Sequence, residues 1–289
     1  MSIQTATAGL NENIQNIIIG EMKFTAEHSH PCKGLVEKYT LPKGAKQVTV
    51  SKSGQMTATT LTDGVDLTDT QDRGVTTVDL TTGEIGLKFI VTDKQARQEV
   101  GDVFARMGRQ AGDAMGKKMD TDIIALFSAL NGGTVLGADN AYLKLTNVQA
   151  CIAWARANKL ERPISIVHHP YAMGYLTGQN MVPSATYPFP VGLSAELLKD
   201  FWHLTVDGVG IFEDGEIAKI SGYDSGYGAI FSKGAMCVIT SKEVNTRTQE
   251  DISLRATEVV VYSDYGVFEI DDTQGAALHY EIGALSTSN

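Results

Sequence analysis

Four groups of residues have types and spacings that could do chemistry. His28, His30 and Cys32 fall at every second position, so on a strand they would share one side and offer a partial metal site. Pro31 and the polar surroundings oppose a rigid site there, and no fourth ligand is indicated, so an arm that happens to contain these residues is the favoured reading. His168 and His169 stand together before Pro170, but neighbours on a strand point to opposite faces. A general base there would also need a nucleophile, and no G-x-S-x-G elbow supplies one. Asp63, Asp66, Asp69 and Asp72 recur every third residue without the spacing or closing glutamate of a calcium loop, which leaves weak cation binding at most. AGDAMGKK at Ala111–Lys118 approaches a phosphate-binding loop, but alanine stands at the first glycine position and lysine where a hydroxyl must hold Mg²⁺. No G-x-G-x-x-G follows a strand. The sequence therefore assigns no catalytic residue, no metal site and no cofactor-binding site.

Composition narrows the class. The 289 residues are 43% hydrophobic and 20% charged, enough to build a core and too apolar for a disordered chain. No stretch approaches the ~18–20 apolar residues of a membrane span, and no secretory signal is visible at the start. Cys32, Cys151 and Cys237 are odd in number and far apart, so reduced thiols are expected. The net charge of −10 resides in residues 200–289, with 15 acidic and 5 basic side chains. Such a chain has no footprint for gripping phosphates, although it can lie beside nucleic acid without binding it.

The elements come in an unusual order. Residues 1–40 read as an arm, with a short apolar cluster at Ile14, Ile17 and Ile18. Residues 41–92 read as β: Gln47–Ser51 alternates, and Val75–Leu80 and Ile85–Thr92 predict a hairpin across Thr81-Thr82-Gly83-Glu84. Ile85, Leu87, Phe89 and Val91 share one face of the second strand. Between Leu41 and Leu80 large apolar residues are sparse, and a two-stranded ribbon is marginal alone. This segment is expected to rest on something outside its own subunit or its own domain.

Residues 93–130 carry the strongest helical periodicity, with Val100, Val103, Phe104, Met107, Ala111, Ala114 and Met115 on one stripe. Gly101, Gly108, Gly112 and Gly116 form a second stripe, whose spacing fits close approach of another backbone. Further on, residues 146–158 predict a helix capped by Thr146, Ile164–His168 a short buried strand, and Pro170–Gly178 a proline-initiated helix. Residues 179–193 read as a loop, Ser194 as the cap of another helix, and Ile252–Tyr262 as the longest late strand. Helices and strands interleave without regular βαβ units, which makes the class α+β.

Several pieces, taken in order, carry a resemblance. They are the polar ribbon 41–85, then IGLKFIVT with the long helix ending in MDTDIIALF, then TNVQACIAWARANKLERPISIVHHPYAMGYLTG. LTVDGVGIFEDGEIA, GAIFSKGAMCVI and DISLRATEVVVYSDYGVFEID follow. Their order resembles the major capsid proteins of tailed phages (Caudoviricetes), with the HK97-type fold. The resemblance implies an N-terminal arm (1–40), an extended E-loop hairpin (41–85), a P domain with a spine helix (86–134), an A domain (135–235), and closing strands returning to both (236–289). In such proteins the spine often runs into a D-x-D-like turn, as MDTD would here.

The implied function is a structural, non-enzymatic shell protein. It would self-assemble into the hexamers and pentamers of an icosahedral phage head enclosing double-stranded DNA, assembled in the host cytoplasm and residing in the virion. Implied partners are further copies of itself, a portal protein and a decoration or cement protein; with no long charged N-terminal extension in this sequence, the resemblance also implies a separate scaffolding protein, or a scaffold cleaved off and not included in it. Packaged DNA would lie nearby without sequence-specific binding, and no membrane is involved. Val48, Val50, Met56, Thr59, Leu61 and Leu67 are the expected E-loop contacts with a neighbour, and Gly101, Gly108, Gly112 and Gly116 the expected flexure points of the spine. Lys43, Lys46 and Lys52 lie where some members form crosslinks, but no motif selects one. Two alternatives remain: an encapsulin, which encloses cargo protein within the same fold, and an α+β enzyme built around His168, His169 and Tyr171.

Overall fold

The computed structural model describes residues 31–285, apart from 55, 65, 67, 69, 73, 99–102 and 182–203. Leu67, Gly101, His28, His30, the Ile14–Ile18 cluster and the helix expected after Ser194 lie outside the described residues.

The chain enters through a four-residue helix, α1 (Cys32–Leu35), and a strand, β1 (Glu37–Thr40). A ribbon of β2 (Val48–Ser53) and β3 (Val75–Leu80) follows, then β4 (Gly83–Thr92), α2 (Asp93–Gln98) and the long α3 (Val103–Ala125). Next come β5 (Leu136–Gly137), α4 (Leu145–Ala157), β6 (Ile164–His168) and α5 (Pro170–Met181). The chain closes with β7 (Leu204–Val206), β8 (Val209–Glu213), β9 (Ser225–Ser232), β10 (Met236–Asp251), β11 (Ala256–Glu269) and β12 (Gly275–Glu281).

Two sheets organise these elements. The first has the order β1-β10-β11-β4, with β1 parallel to β10 and the rest antiparallel. The second, mixed, has the order β5-β12-β9-β6-β8-β7. All five residues of β6 are buried, as a central strand covered on both faces requires. Ile164, Ile166, Ile230 and Leu278 on one face pack against Val148, Ile152, Ala172 and Leu176 of α4 and α5. On the other face Val167, Ala229 and Phe231 meet Ile123, Phe127 and Leu130 at the end of the long helix. Higher up the same helix, Ala111 and Met115 pack on Val259 and Val261 of the first sheet. One amphipathic element thus joins both sheets, which is why its apolar stripe is so long.

Several expectations need correction. β3 and β4 are consecutive but do not form a hairpin: β3 pairs with β2 (Val48↔Leu80 to Ser53↔Val75), and β4 pairs with β11 (Thr92↔Ala256 to Gly83↔Tyr265). The apolar face of β4 needs the long helix as a cover, and β11 offers the matching Val259 and Val261 beside it. The helical pattern of 93–130 is not one helix: α3 ends at Ala125 and tightens into turns with Leu126 N–H bonded to Ile123 O and Phe127 N–H to Ile124 O. Met119–Asp122 is helical rather than a turn. Thr146 lies inside α4, whose N-cap is Lys144. Residues 252–255 form the turn between β10 and β11 rather than part of a strand. There the Asp251 carboxylate accepts from the Ser253 N–H (2.9 Å), the Ser253 hydroxyl (2.6 Å) and the Leu254 N–H (3.2 Å), and this local bonding competes successfully with strand pairing.

Candidate functional site

The ribbon is built in two unlike halves. In the paired half, alternation along β2 and β3 turns Val48, Val50, Val78 and Leu80 toward Leu41, Cys237, Ile239, Phe268 and Ile270 of the same subunit. Val48 and Val50, expected to meet a neighbour, are therefore half-buried against their own body. Lys52 pairs with Asp271, and Thr49 donates to Asp79 across the strands (2.6 Å), so this half is anchored by both apolar and polar contacts.

Beyond Ser53 the strand ladder stops. Gly54 N–H bonds to Gly74 O (3.2 Å), the Thr57 N–H donates to the Gln71 side-chain oxygen (2.7 Å), and Asp63-Gly64 forms the turn at the tip, with Gly64 at φ +77°. Thr59 is exposed, and so are the apolar side chains of Met56 (64%) and Leu61 (68%). Asp63, Asp66 and Asp72 are also exposed on this segment.

The loop after β11 ties the ribbon base to the rest of the fold. Asp271 accepts from Lys52, the Thr273 N–H (3.0 Å) and the Thr273 hydroxyl (2.7 Å). Asp272 accepts from the Gly132 N–H (2.9 Å), in the turn beyond the long helix. Burial, followed by the neighbouring Asp272 and Asp271, pushes the Glu269 carboxyl up to about 7.

Sequence reasoning missed two places. Ile252 (84% exposed) and Leu254 (57%) project from the β10–β11 turn, where apolar side chains have no cover from the described residues. The signal was available in Asp251-Ile252-Ser253, a turn-forming sequence. The second is a buried cluster in which one donor atom each of Cys32, Asp120 and Asp214 lies within 4.8 Å of the others. Cys32 donates to Asp214 (3.2 Å), and burial pushes its thiol pKa far above the ordinary value, with Asp120 and Asp214 adding to the rise. With no cation present, the protonated thiol and the two carboxyls make the cluster a proton-sharing group. No local pattern announces it, since residues 32 and 214 are 182 positions apart.

The histidines do not form a site. His168 is fully buried; burial pushes its imidazole down to about 3, and its Nδ1 accepts from the His169 N–H (2.9 Å). His169 is half-buried just beyond the end of β6, its Nδ1 accepting from the Tyr171 N–H (3.1 Å). The AGDAMGKK run lies wholly within α3, where its amides serve the helix and cannot cradle a phosphate. Gly108 and Gly112 are buried within the same unbroken helix and Gly116 is half-buried, so the small-residue stripe faces the body. No described helix is long and apolar enough to cross a membrane.

Comparison with known proteins agrees with this arrangement. The two sheets and the long helix are similar to solved phage heads, although the sequences have diverged far. A Mycobacterium phage Che8 chain shares 16% identity over 81% of this chain and 84% of its own, with a TM-score of 0.62. The head of Helicobacter pylori bacteriophage KHP40 gives 12% identity over 86% and 87%, with a TM-score of 0.63. The capsid of a native GTA particle gives 12% identity over 89% and 90%, with a TM-score of 0.68. No curated protein matches the sequence. The family model for phage capsid proteins matches residues 74–278, from the ribbon's returning strand to the last strand of the second sheet. The chain belongs to the phage capsid protein family, and its fold is the HK97-type α+β fold of tailed-phage major capsid proteins.

Proposed function

We propose that this shell protein assembles into the hexamers and pentamers of an icosahedral head around double-stranded DNA, through the outer half of its ribbon. The observation that carries the reading is the contrast along the ribbon. Leu80 is fully buried against the subunit's own sheet, whereas Met56 and Leu61, on the same excursion, have no such support. Met56, Thr59 and Leu61 are the residues through which the ribbon meets a neighbour, and the Ile252–Leu254 tip is a second contact. Each contact is worth about 25 cal/mol per Å² of apolar surface covered, and closed symmetry repeats it around every ring.

In this reading the chain assembles in the host cytoplasm with a portal protein, a separate scaffolding protein and a decoration protein, and ends in the virion. Gly108, Gly112 and Gly116 allow the spine to flex as the shell matures. Acidic residues facing inward keep the DNA from adhering to the wall.

The test is assembly of purified protein, followed by sedimentation and negative-stain microscopy, with the Met56→Asp/Leu61→Asp double variant beside the wild type. Wild-type shells and a folded variant that stays as small oligomers are expected. Full assembly of the double variant would refute the ribbon's role. Particles from infected cells that hold protein cargo and no nucleic acid would favour the encapsulin alternative, which the family match does not favour.

A further inference from the structure

We propose that Cys32, Asp120 and Asp214 form a proton-sharing clasp that fastens the segment leading into β1 to the long helix and lets it go as the pH rises. The three side chains come from three elements: α1, the last two turns of α3, and the loop after β8. Cys32 and Asp120 are fully buried and Asp214 is 5% exposed. The donor and acceptor inventory is tight. One oxygen of Asp214 accepts from the Glu216 N–H (2.9 Å), and the other accepts from the Cys32 thiol (3.2 Å). Asp120 faces Asp214 and also the backbone N–H groups of Lys33 and Cys32. Ionised carboxylates only accept hydrogen bonds, so two of them meeting away from water require a proton between them. While that proton is present, Asp120 and Asp214 can lie together against Cys32 of α1, away from water; once it is lost, two buried charges face each other, and opening α1 to water relieves them more than the bonds to its amides hold it.

Other groups around the cluster do not neutralise it. His169, at the β6–α5 junction, feels the charge of Asp214, but its own imidazole is pushed down by burial. Lys117 of α3 is engaged with Glu216 of the β8 loop (3.1 Å) at the partly exposed rim. The Cys32 thiol, raised by burial and by both carboxyls, stays protonated throughout the range that matters. Burial first, and then Asp214, raise the Asp120 carboxyl to about 8. A carboxyl whose folded value lies above its unfolded value of about 4 favours the closed form most strongly below pH 4. That advantage shrinks as the pH climbs from there to about 8, and is constant above it.

The proposal concerns the single subunit and stands apart from the assembly reading. Its test is hydrogen exchange of the amides of residues 32–36 in the full-length, unassembled protein from pH 5.5 to 9, corrected for intrinsic rates. Wild-type opening is expected to increase up to about tenfold per pH unit between 6 and 8 and then level off. Asp120→Asn, which keeps a donor and an acceptor but cannot titrate, is expected to give a flat profile. Asp122→Asn, which alters the neighbouring carboxyl that accepts from Tyr265, is expected to keep the wild-type slope. A flat wild-type profile, or a wild-type slope in Asp120→Asn, overturns the proposal. Should Asp120→Asn fail to fold, alkylation of the wild-type thiols decides. Cys32 is expected to gain reactivity with pH more steeply than Cys151 and Cys237, and equal slopes for all three overturn the clasp.

Discussion

Replacing Leu80 with alanine separates the anchor of the ribbon from its reach. Leu80 is fully buried, beside Leu41, Cys237 and Ile239, with Val48, Val50 and Val78 half-buried around it. Deleting a buried leucine side chain costs roughly 2–5 kcal/mol, depending on how well the site collapses. Here one wall is a regular sheet that cannot move and the other is a two-stranded ribbon that can, so a value of about 3 kcal/mol is expected. Since ~1.4 kcal/mol is a factor of ten, the ribbon should open about a hundredfold more often. Leu61→Ala, at a position 68% exposed, should change subunit stability by less than about 0.5 kcal/mol. The assay is native-state hydrogen exchange on the unassembled subunit, comparing β2 and β3 with β6 and β9. In Leu80→Ala the faster exchange should be confined to the ribbon, because the ribbon touches the body on one side only. Equal costs for Leu61→Ala and Leu80→Ala, or a uniform rise in exchange over both sheets, would refute the two-part description of the ribbon.

Four further outcomes follow from particular contacts. Ile252→Asp combined with Leu254→Asp should leave the subunit's melting temperature within about 2 °C, yet reduce the yield of closed shells on a sedimentation gradient. Gly228→Ala should destabilise by about 1–3 kcal/mol in urea unfolding, since its Cβ would sit 2.3 Å from His168 Cδ2 and 2.5 Å from Val167 O, in a packed core. Glu269 sits near 7, above its unfolded value of about 4.3, so its contribution to stability is complete below that value and fades as the pH rises to 7. Thermal melts of Glu269→Gln from pH 4.5 to 7.5 should therefore lose less stability with rising pH than the wild type. Gly108→Ala with Gly112→Ala should stiffen the long helix and slow shell expansion in time-resolved scattering; an unchanged rate would remove these glycines from that role.

What could be read from the sequence was local. The stripe containing Ala111 and Met115 predicted the long helix because 3.6-residue periodicity is written along the chain. The shared face of Leu87 and Phe89 predicted β4 for the same kind of reason. Neither pattern says which strand lies next door. β3 was assigned to β4 because they are consecutive, yet the energetically decisive partner of β4 was β11, more than 150 residues later. The β10–β11 turn was missed because Ile252 and Leu254 read as strand formers. The Asp251 carboxylate, accepting from the backbone N–H groups of Ser253 and Leu254, shows why the chain reverses there. The Cys32–Asp120–Asp214 cluster has no sequence signature at all: each residue is ordinary in its own segment, and the chemistry arises when three elements meet.

The ribbon shows how the same limit bears on function. Sparse apolar residues between Leu41 and Leu80 point to a segment that rests on something outside itself, but do not say which of its valines look inward. The answer depends on the register of β2 against β3 and on a wall supplied by Ile239 and Phe268. Once that wall is in place, Val48 and Val50 serve the subunit, and in the assembly proposed above it is Met56 and Leu61 that meet a neighbour. An anchored base limits the conformational freedom that assembly must remove, because only the outer half is left to be ordered. A wholly loose hairpin would lose the entropy of both halves at each contact. A ribbon fixed throughout could not adapt to the different angles of pentamer and hexamer. Dividing the excursion at Ser53 and Gly54, where the strand ladder ends, gives a firm root and an adaptable tip within one hairpin.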